Sequence, residues 1–264
     1  QFLGDTITQI AREKAGILKR GTPCVVAKQP SEAMQSIIAT AQDLGVALYR
    51  QDEDWSVHQA GKELIYQNPH GCTAHPLPNL VGPHQINNAG IALATLDRLA
   101  ACKTSLVARQ TGLSSAQWPG RMQRMVKGPL LDLLPCGWEI WVDGGHNEAA
   151  AQAIVGQAQV WGADVPRKPL YGIFGMLNSK QPKAFLKPLK AHIANMSCIG
   201  IPGEENALKP QALLTAAQCI EIPATICRSV EHAVAEQVIL SPNPGRILIC
   251  GSLYLAGTVL ANHQ

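Results

Sequence analysis

The segment Trp141-Val142-Asp143-Gly144-Gly145-His146-Asn147 joins the end of an apolar strand to the start of an alanine-rich helix, 148–159. In such a strand–turn–helix unit the helix start offers unpaired backbone N–H groups, and a carboxylate at the strand tip can accept hydrogen bonds from a ribose diol. Glycines in the turn let a ligand approach the backbone. The segment therefore predicts a nucleotide site. The alternative, that Asp143 and Asn147 only cap the helix, explains one of them but not His146 beside two glycines.

Strands and helices alternate on both sides of this segment. Alternation of this kind predicts an α/β fold with a mainly parallel sheet, helices on both faces, and ligands outside the carboxyl ends of the strands. The predicted strands are 139–143, 169–174, 196–200, 223–226 and 246–250, and the predicted helices are 148–160, 181–192, 208–217 and 230–238.

The part of the chain before this alternation has a different pattern. Thr6 and Gln9 have the spacing of a capping box, which predicts a helix at 6–15. Short alternating pieces between 51 and 79 indicate hairpins. Pro119-Gly120 marks the best internal boundary, so we predict two domains, 1–117 and 118–264. Further predicted elements are strands at 22–27 and 46–49 and helices at 31–44 and 85–101.

Composition excludes several classes of protein. With 46% hydrophobic and 16% charged residues, the 264-residue chain is typical of a folded protein, and its net charge of +3 does not argue for a nucleic-acid or membrane partner. The apolar stretch 247–261 is too short to cross a bilayer, and 1–14 lacks a signal peptide. Eight cysteines without a C-x-x-C pair indicate reduced thiols. We expect a cytoplasmic protein with small-molecule substrates.

Lys14 is unusual because helical spacing places it on one stripe with Ile7, Ile10 and Ala11. Desolvation would favour the neutral amine of a lysine held on an apolar face. A neutral amine can react with CO₂ to form a carbamate, which behaves as an anion toward Mg²⁺. The alternative is that the stem is buried while the ammonium reaches solvent or pairs with Glu13.

Two further stretches contain candidate binding residues. Gln85 and Asn88 lie at a helix start after Gly82-Pro83, and amides offer the paired donors and acceptors that an adenine edge requires, although most such amides are caps. Arg121 lies at the domain boundary, where a cation could meet phosphates or remain a solvated linker residue. Residues 16–22 resemble a phosphate-binding loop but lack its lysine, and Gly-x-Gly-x-x-Gly does not occur.

Four motifs in this order resemble the bacterial folylpolyglutamate synthase/dihydrofolate synthase family of the Mur-ligase superfamily. They are Leu3-Gly4-Asp5-Thr6 with Ile10-Ala11-Arg12-Glu13-Lys14-Ala15-Gly16-Ile17, Gly82-x-His84-Gln85-x-x-Asn88-Ala89, Pro119-Gly120-Arg121-Met122-Gln123, and Asp143-Gly-Gly-His146-Asn147. The stretches Gly175-Met176-Leu177 with Ser179-Lys180, and Gly251 to Gly257, also fit the family's pattern.

The resemblance implies the last part of a Mur-type central ATPase domain followed by a Rossmann-like C-terminal ligase domain with a mainly parallel sheet. It implies an ATP-dependent acid–amino-acid ligase that joins L-glutamate to folate or dihydropteroate through an acyl phosphate, with Mg²⁺ and a monovalent cation as a further candidate. Asn88 would contact adenine with Gln85 nearby, and Arg121 would contact the phosphates. Asp143 would bind the ribose hydroxyls, and His146 would lie where phosphate meets glutamate.

The resemblance also implies that Lys14 is carbamylated and reaches Mg²⁺ only indirectly, through that carbamate. The family usually has alanine where this chain has Gly145, a change that still permits the turn. Its phosphate-binding loop, folate loop and Mg²⁺ ligands would precede Gln1, so we expect these 264 residues to be inactive alone. We also expect a monomer. Two alternatives are a peptidoglycan-type Mur ligase fragment and a non-catalytic nucleotide-binding module.

Overall fold

The computed structural model describes residues 6–99, 103–241 and 243–263. Two units separate along the chain: the first runs to Asn79 and takes in His84–Ala116, and the second comprises Leu80–Pro83 and the chain from Gln117 onward. Among the described residues, no helix has both the length and the apolar character needed to cross a membrane.

The first unit begins with a helix that has the predicted capping box. Thr6 Oγ1 accepts from the N–H of Gln9, and Gln9 Oε1 accepts from the N–H of Thr6, both at 3.2 Å. A parallel pair of strands and a three-stranded antiparallel sheet follow, which confirms the predicted hairpins. The elements are α1 (Ile7–Ala15), β1 (Cys24–Val26), α2 (Ser31–Leu44), β2 (Leu48–Arg50), β3 (Ser56–Ala60), β4 (Glu63–Asn68), β5 (Gly71–Pro76), α3 (His84–Arg98) and α4 (Leu106–Ser115).

Close packing of α3 against β3 depends on Gly90. A Cβ at this position would lie 2.4 Å from Val57 Cγ1 and 2.9 Å from a ring carbon of Trp55. At the end of the same helix, Asp97 accepts hydrogen bonds from Tyr66 and Arg109, so it links α3 to β4 and α4. The helix ends at Arg98 and not at the predicted residue 101, which lies outside the described residues.

The second unit contains the predicted mainly parallel sheet, and this prediction is confirmed. Its strand order is β10-β9-β8-β11-β7-β6, with only the β6–β7 pair antiparallel. The elements are β6 (Gln123–Arg124), α5 (Pro129–Asp132), β7 (Glu139–Val142), α6 (Glu148–Gly162), β8 (Leu170–Phe174), α7 (Pro182–Leu189), β9 (Ile193–Cys198), α8 (Pro210–Cys219), β10 (Ala224–Ile226), α9 (Val230–Leu240), β11 (Arg246–Cys250) and α10 (Leu253–His263).

Helices cover both faces of this sheet. Successive residues of the central strands alternate between two apolar clusters, as the two-residue period of a strand requires. Ile247 and Ile249 face the cluster that includes residues of α9 and α10, whereas Leu248 and Cys250 face the cluster that includes residues of α6, α7 and α8. Helix α10 begins just after Gly251, whose φ of 105° allows the turn. Sequence analysis did not separate α10 from the apolar stretch containing β11.

The amino ends of β7 and β11 are joined by charged side chains. Glu139 accepts from Lys168 at 2.7 Å and from Arg246 at 3.0 Å, and Arg246 also donates to Asp164 at 2.6 Å. Burial alone would raise the pKa of Glu139. The hydrogen bonds from Lys168, Trp141 and Arg246 outweigh it and lower the pKa to about 2.

We expect Gly90→Ala to destabilise the first unit by about 1 to 3 kcal/mol, because the added methyl group overpacks the contact with β3. Gly112→Ala in α4 is the matched control, since nothing lies within 4 Å of its added Cβ. We expect the control to stabilise by up to about 1 kcal/mol through helix propensity. Urea unfolding measures both changes. Equal effects of the two variants would contradict the packing role of Gly90.

We expect Glu139→Gln to lower the free energy of unfolding at pH 7 by about 3 kcal/mol, because it removes a carboxylate bound to two cations. The lowered pKa of Glu139 stabilises the fold fully above its unfolded-state value near 4.5, and this contribution is lost as pH falls toward 2. The difference between wild type and variant should therefore shrink over that range. Urea unfolding at several pH values checks this, with exposed Glu205→Gln as control. A difference independent of pH would contradict it.

Candidate functional site

The carboxylate of Asp143 fixes the loop between β7 and α6. Its Oδ1 accepts a hydrogen bond from the N–H of Gly145 at 2.7 Å, and its Oδ2 accepts one from the N–H of Met122 at 2.9 Å. The residue is only 6% exposed. A buried carboxylate requires such donors, because removing its charge from water is costly. Asp143 therefore connects two separate segments of the chain, and it does not cap α6.

The segment bound by Asp143 contains a strained residue. Met122 is buried and has a φ of 39°, in the left-handed region that residues other than glycine seldom adopt. Such conformations persist only where their surroundings hold them, and they cluster at functional sites. Neighbouring Arg121 is half-buried, and its guanidinium forms no hydrogen bond or ion pair within the described part of the chain. Asp143 thus positions the backbone next to a cation with unused donors.

The two glycines of the loop pack closely against the rest of the protein. A Cβ on Gly144 would lie 2.3 Å from Leu253 Cδ2, and one on Gly145 would lie 2.8 Å from the Cβ of Ala150. Side chains at these positions would therefore require their neighbours to shift. The role of the glycines in letting a ligand approach the backbone stays a prediction.

The loop ends at the start of α6, where Asn147 is the N-cap. Its Oδ1 accepts from the N–H of Ala150 at 2.9 Å. His146 is half-buried, and its Nδ1 lies 3.2 Å from the carbonyl oxygen of Gly144, which can only accept. In the neutral ring Nδ1 is then the donor, and Nε2 has the lone pair. Of the two sequence hypotheses for Asn147 and Asp143, capping therefore accounts for Asn147 alone.

In the first unit, Gln85 and Asn88 lie together on the first turns of α3. The Nδ2 of Asn88 donates to Oε1 of Gln85 at 2.9 Å, and Nε2 of Gln85 lies 3.0 Å from a ring nitrogen of His84. Gln85 is buried and Asn88 is exposed. The chain of side-chain contacts orients the amide of Asn88, so this is the residue of the pair that can reach a ligand.

Lys14 is exposed, as are Ile7 and Ile10 on the same stripe of α1. The predicted apolar burial of Lys14 is therefore wrong within the described structure. The helix buries Ala11 of this stripe together with Ala15, and it packs against α2. Helical spacing grouped Lys14 with Ile7, Ile10 and Ala11, but it did not show that Ala11 is covered while the other three stay exposed. Residues Leu3-Gly4-Asp5 of the same motif lie outside the described residues.

Sequence analysis missed a cleft at the opposite edge of the large sheet. The cleft has a volume of about 350 Å³ and lies at the amino ends of β8, β9 and β11, whereas Asp143 follows the carboxyl end of β7. No local sequence pattern indicates its polar lining, because the lining residues come from segments that are distant along the chain. The charged and aromatic residues lining it are Trp161, Arg167, Lys168, His192 and Arg246.

The loop at Asp143 does not contain a ready set of metal ligands. Within the described ranges, the one group of three or more His, Cys, Asp or Glu residues close enough to share an ion is Cys227, His232 and Glu236. Among the described residues, the structure therefore does not bring Asp143 into such a group.

We expect Asp143→Asn to destabilise the second unit by about 2 kcal/mol. An amide has one oxygen, so one of the two N–H groups would lose its acceptor and face an NH₂ group. Chemical denaturation monitored by tryptophan fluorescence measures the change. Asp132→Asn, at an exposed carboxylate of α5, is the control. Equal stability of the two variants would contradict the anchoring role of Asp143.

Comparison with known proteins finds similarity to folylpolyglutamate and dihydrofolate synthases. No family model matches it. It is 29% identical to "Folylpolyglutamate synthase" of Lacticaseibacillus casei over 275 residues, covering 98% of this chain and 58% of that protein. The structure of E. coli FolC with DHPP and ADP aligns with a TM-score of 0.82 and 25% identity, covering 98% of this chain and 57% of that one.

A second solved structure gives the same result. The bifunctional folylpolyglutamate synthase/dihydrofolate synthase of Yersinia pestis, complexed with AMPPNP and Mn ion, aligns with a TM-score of 0.79 and 27% identity, covering 99% of this chain and 58% of that one. The chain thus spans somewhat more than half the length of the relatives it matches. The predicted resemblance is confirmed: over at least 98% of its length the chain is similar to folylpolyglutamate and dihydrofolate synthases.

Proposed function

We propose that this chain forms part of an ATP-dependent ligase that joins the amino group of L-glutamate to a carboxylate of folate or dihydropteroate. The observation that carries the proposal is the similarity to folylpolyglutamate synthases over 98% of the chain. The solved relatives that contain ADP or AMPPNP support a nucleotide substrate. ATP would convert the carboxylate to an acyl phosphate, which the glutamate amine then attacks. We further propose that the protein is a cytoplasmic monomer.

In the second unit the proposed nucleotide contacts belong to Arg121, Asp143 and His146. Arg121 would bind phosphate, because its guanidinium has unused donors and its backbone is held next to Asp143. Asp143 would accept from ribose hydroxyls, since a carboxylate has about four acceptor sites and can accept from several donors at once. We propose that His146, with its lone pair on Nε2, lies where the phosphate and the incoming glutamate meet.

In the first unit the proposed contact is with adenine. Asn88 is exposed and its amide is oriented by buried Gln85, so Asn88 would bind the adenine edge directly while Gln85 would act as its positioning residue. An amide matches the adjacent donor and acceptor of adenine. The start of α3 thus supplies the amide group of Asn88 and also fixes its orientation.

We also propose Mg²⁺ as a cofactor, and the support for it is a solved relative that contains a divalent metal ion. The described residues around Asp143 do not form a set of hard oxygen ligands, which Mg²⁺ requires. Among the described residues we propose a carbamate on exposed Lys14 as a contribution, and it would act indirectly. We therefore derive no step of the reaction from a metal bound by these residues.

The proposal predicts activity for a chimaera of this chain with the part of the L. casei synthase that it does not match. The chimaera should form ADP only when a folate substrate and L-glutamate are both present, and its product should be one glutamate longer by mass spectrometry. His146→Ala should lower kcat about 10- to 100-fold through loss of a positioned base. His192→Ala, at the opposite edge of the sheet, should leave kcat unchanged.

Several outcomes would contradict parts of this proposal. A folded chimaera that binds ADP without forming a glutamyl product would favour a non-catalytic nucleotide-binding module. Ligation only with a peptidoglycan precursor would favour a Mur-type ligase. The 264 residues alone, which lack a Gly-x-x-x-x-Gly-Lys-[Ser/Thr] motif, should release no ADP in response to glutamate. Glutamate-dependent release by the 264 residues alone would contradict our expectation that they are inactive by themselves.

A further inference from the structure

Three potential metal ligands converge where β10 leads into α9. Cys227 directly follows β10, and Ser229 caps α9 by accepting from the N–H of His232. His232 and Glu236 are four residues apart on this helix, so their side chains lie on one face, one turn from each other. The cap therefore orients the first turn of α9 toward the thiol that ends the strand.

The distances within this cluster suit a single ion. Cys227 Sγ lies 2.9 Å from Oε2 of Glu236, and His232 Nε2 lies 3.7 Å from Oε1 of the same carboxylate. One ligand atom from each residue lies within 4.8 Å of the other two. Tetrahedral zinc, with bonds of about 2.0 to 2.3 Å, places its ligands roughly 3.5 Å apart. Small side-chain rotations are therefore enough to close the site.

The cluster combines a buried anchor with an open side. Cys227 is 2% exposed, whereas the side chains of His232 and Glu236 are 36% and 35% exposed. An ion could therefore enter from solvent and retain a water molecule. The ring nitrogen of His232 that faces the carboxylate of Glu236 is Nε2, so Nε2 is the atom that would bind the ion.

We propose that Cys227, His232 and Glu236 bind a divalent transition-metal ion of the zinc type, with water as a fourth ligand. A thiolate and an imidazole favour zinc over Mg²⁺ or Ca²⁺, which require mostly oxygen ligands. The thiol that now donates to Glu236 would release its proton to solvent when the ion replaces it. Four strand spacings separate β10 from β7 in the sheet, about 19 Å, so this site is separate from the loop at Asp143.

The site can be tested directly by titrating the 264-residue chain with Co²⁺, which reports thiolate binding by a charge-transfer absorption band. We expect one ion per chain, displaced by Zn²⁺. The variants Cys227→Ser, His232→Ala and Glu236→Gln should each weaken Co²⁺ binding at least about tenfold. The controls Cys219→Ser, an exposed thiol at the end of α8, and His192→Ala should bind as wild type does.

Circular dichroism of each variant establishes that it is folded. Glu236→Gln preserves side-chain size at a half-exposed position, whereas Cys227→Ser changes a buried side chain. Absence of a cobalt band in the folded wild type would overturn the proposal. Equal loss of binding in Cys219→Ser would also overturn it, because it would indicate adventitious binding to surface thiols. Since the assay uses neither ATP nor folate, its outcome is independent of the proposed ligase function.

Discussion

The geometry of the candidate site depends on one carboxylate, that of Asp143, which accepts hydrogen bonds from two backbone N–H groups. Asp143 contacts Gly145 within its own loop and Met122 in a segment 21 residues earlier. Hydrogen bonds to a charged acceptor are stronger than neutral ones, and stronger still away from water. The bond to Met122 holds this residue in a backbone conformation that it would otherwise avoid. It thereby fixes the backbone position of the neighbouring Arg121. A side chain predicted to bind ribose thus also builds the surface on which a nucleotide would lie.

The large sheet separates two apolar layers and concentrates chemistry at its edges. Its central strands are buried on both faces, so polar groups have room only where the strands end. The carboxyl edge holds Asp143 and Cys227, each directly after a strand. The amino edge holds the cluster of Glu139, Lys168 and Arg246. Charged groups lie at both edges because the apolar core excludes them.

Sequence patterns predicted those features that depend on neighbouring residues. The capping box at Thr6, the strand and helix flanking Asp143, and the mainly parallel sheet all rest on local spacing, and the structure contains them. Helix α4 was missed although Ser105 caps it, because its exposed surface lacks a clear apolar stripe. Conversely, the stripe containing Lys14 was assigned to the interior because it has an apolar pattern, although most of its residues are exposed. Spacing identifies a face of a helix, but only tertiary packing determines whether that face is covered.

Contacts between segments that are distant along the chain could not be predicted from the sequence. Glu139 and Arg246 are 107 residues apart, and their pairing follows from strand order. That pairing has a mechanical consequence for β7. The strand is held electrostatically at its first residue and, through the carboxylate that follows its last residue, at the other end. A slip in register would break both attachments at once. The strand therefore has a fixed position between the amino edge and the carboxyl edge of the sheet, and Asp143 is positioned from both.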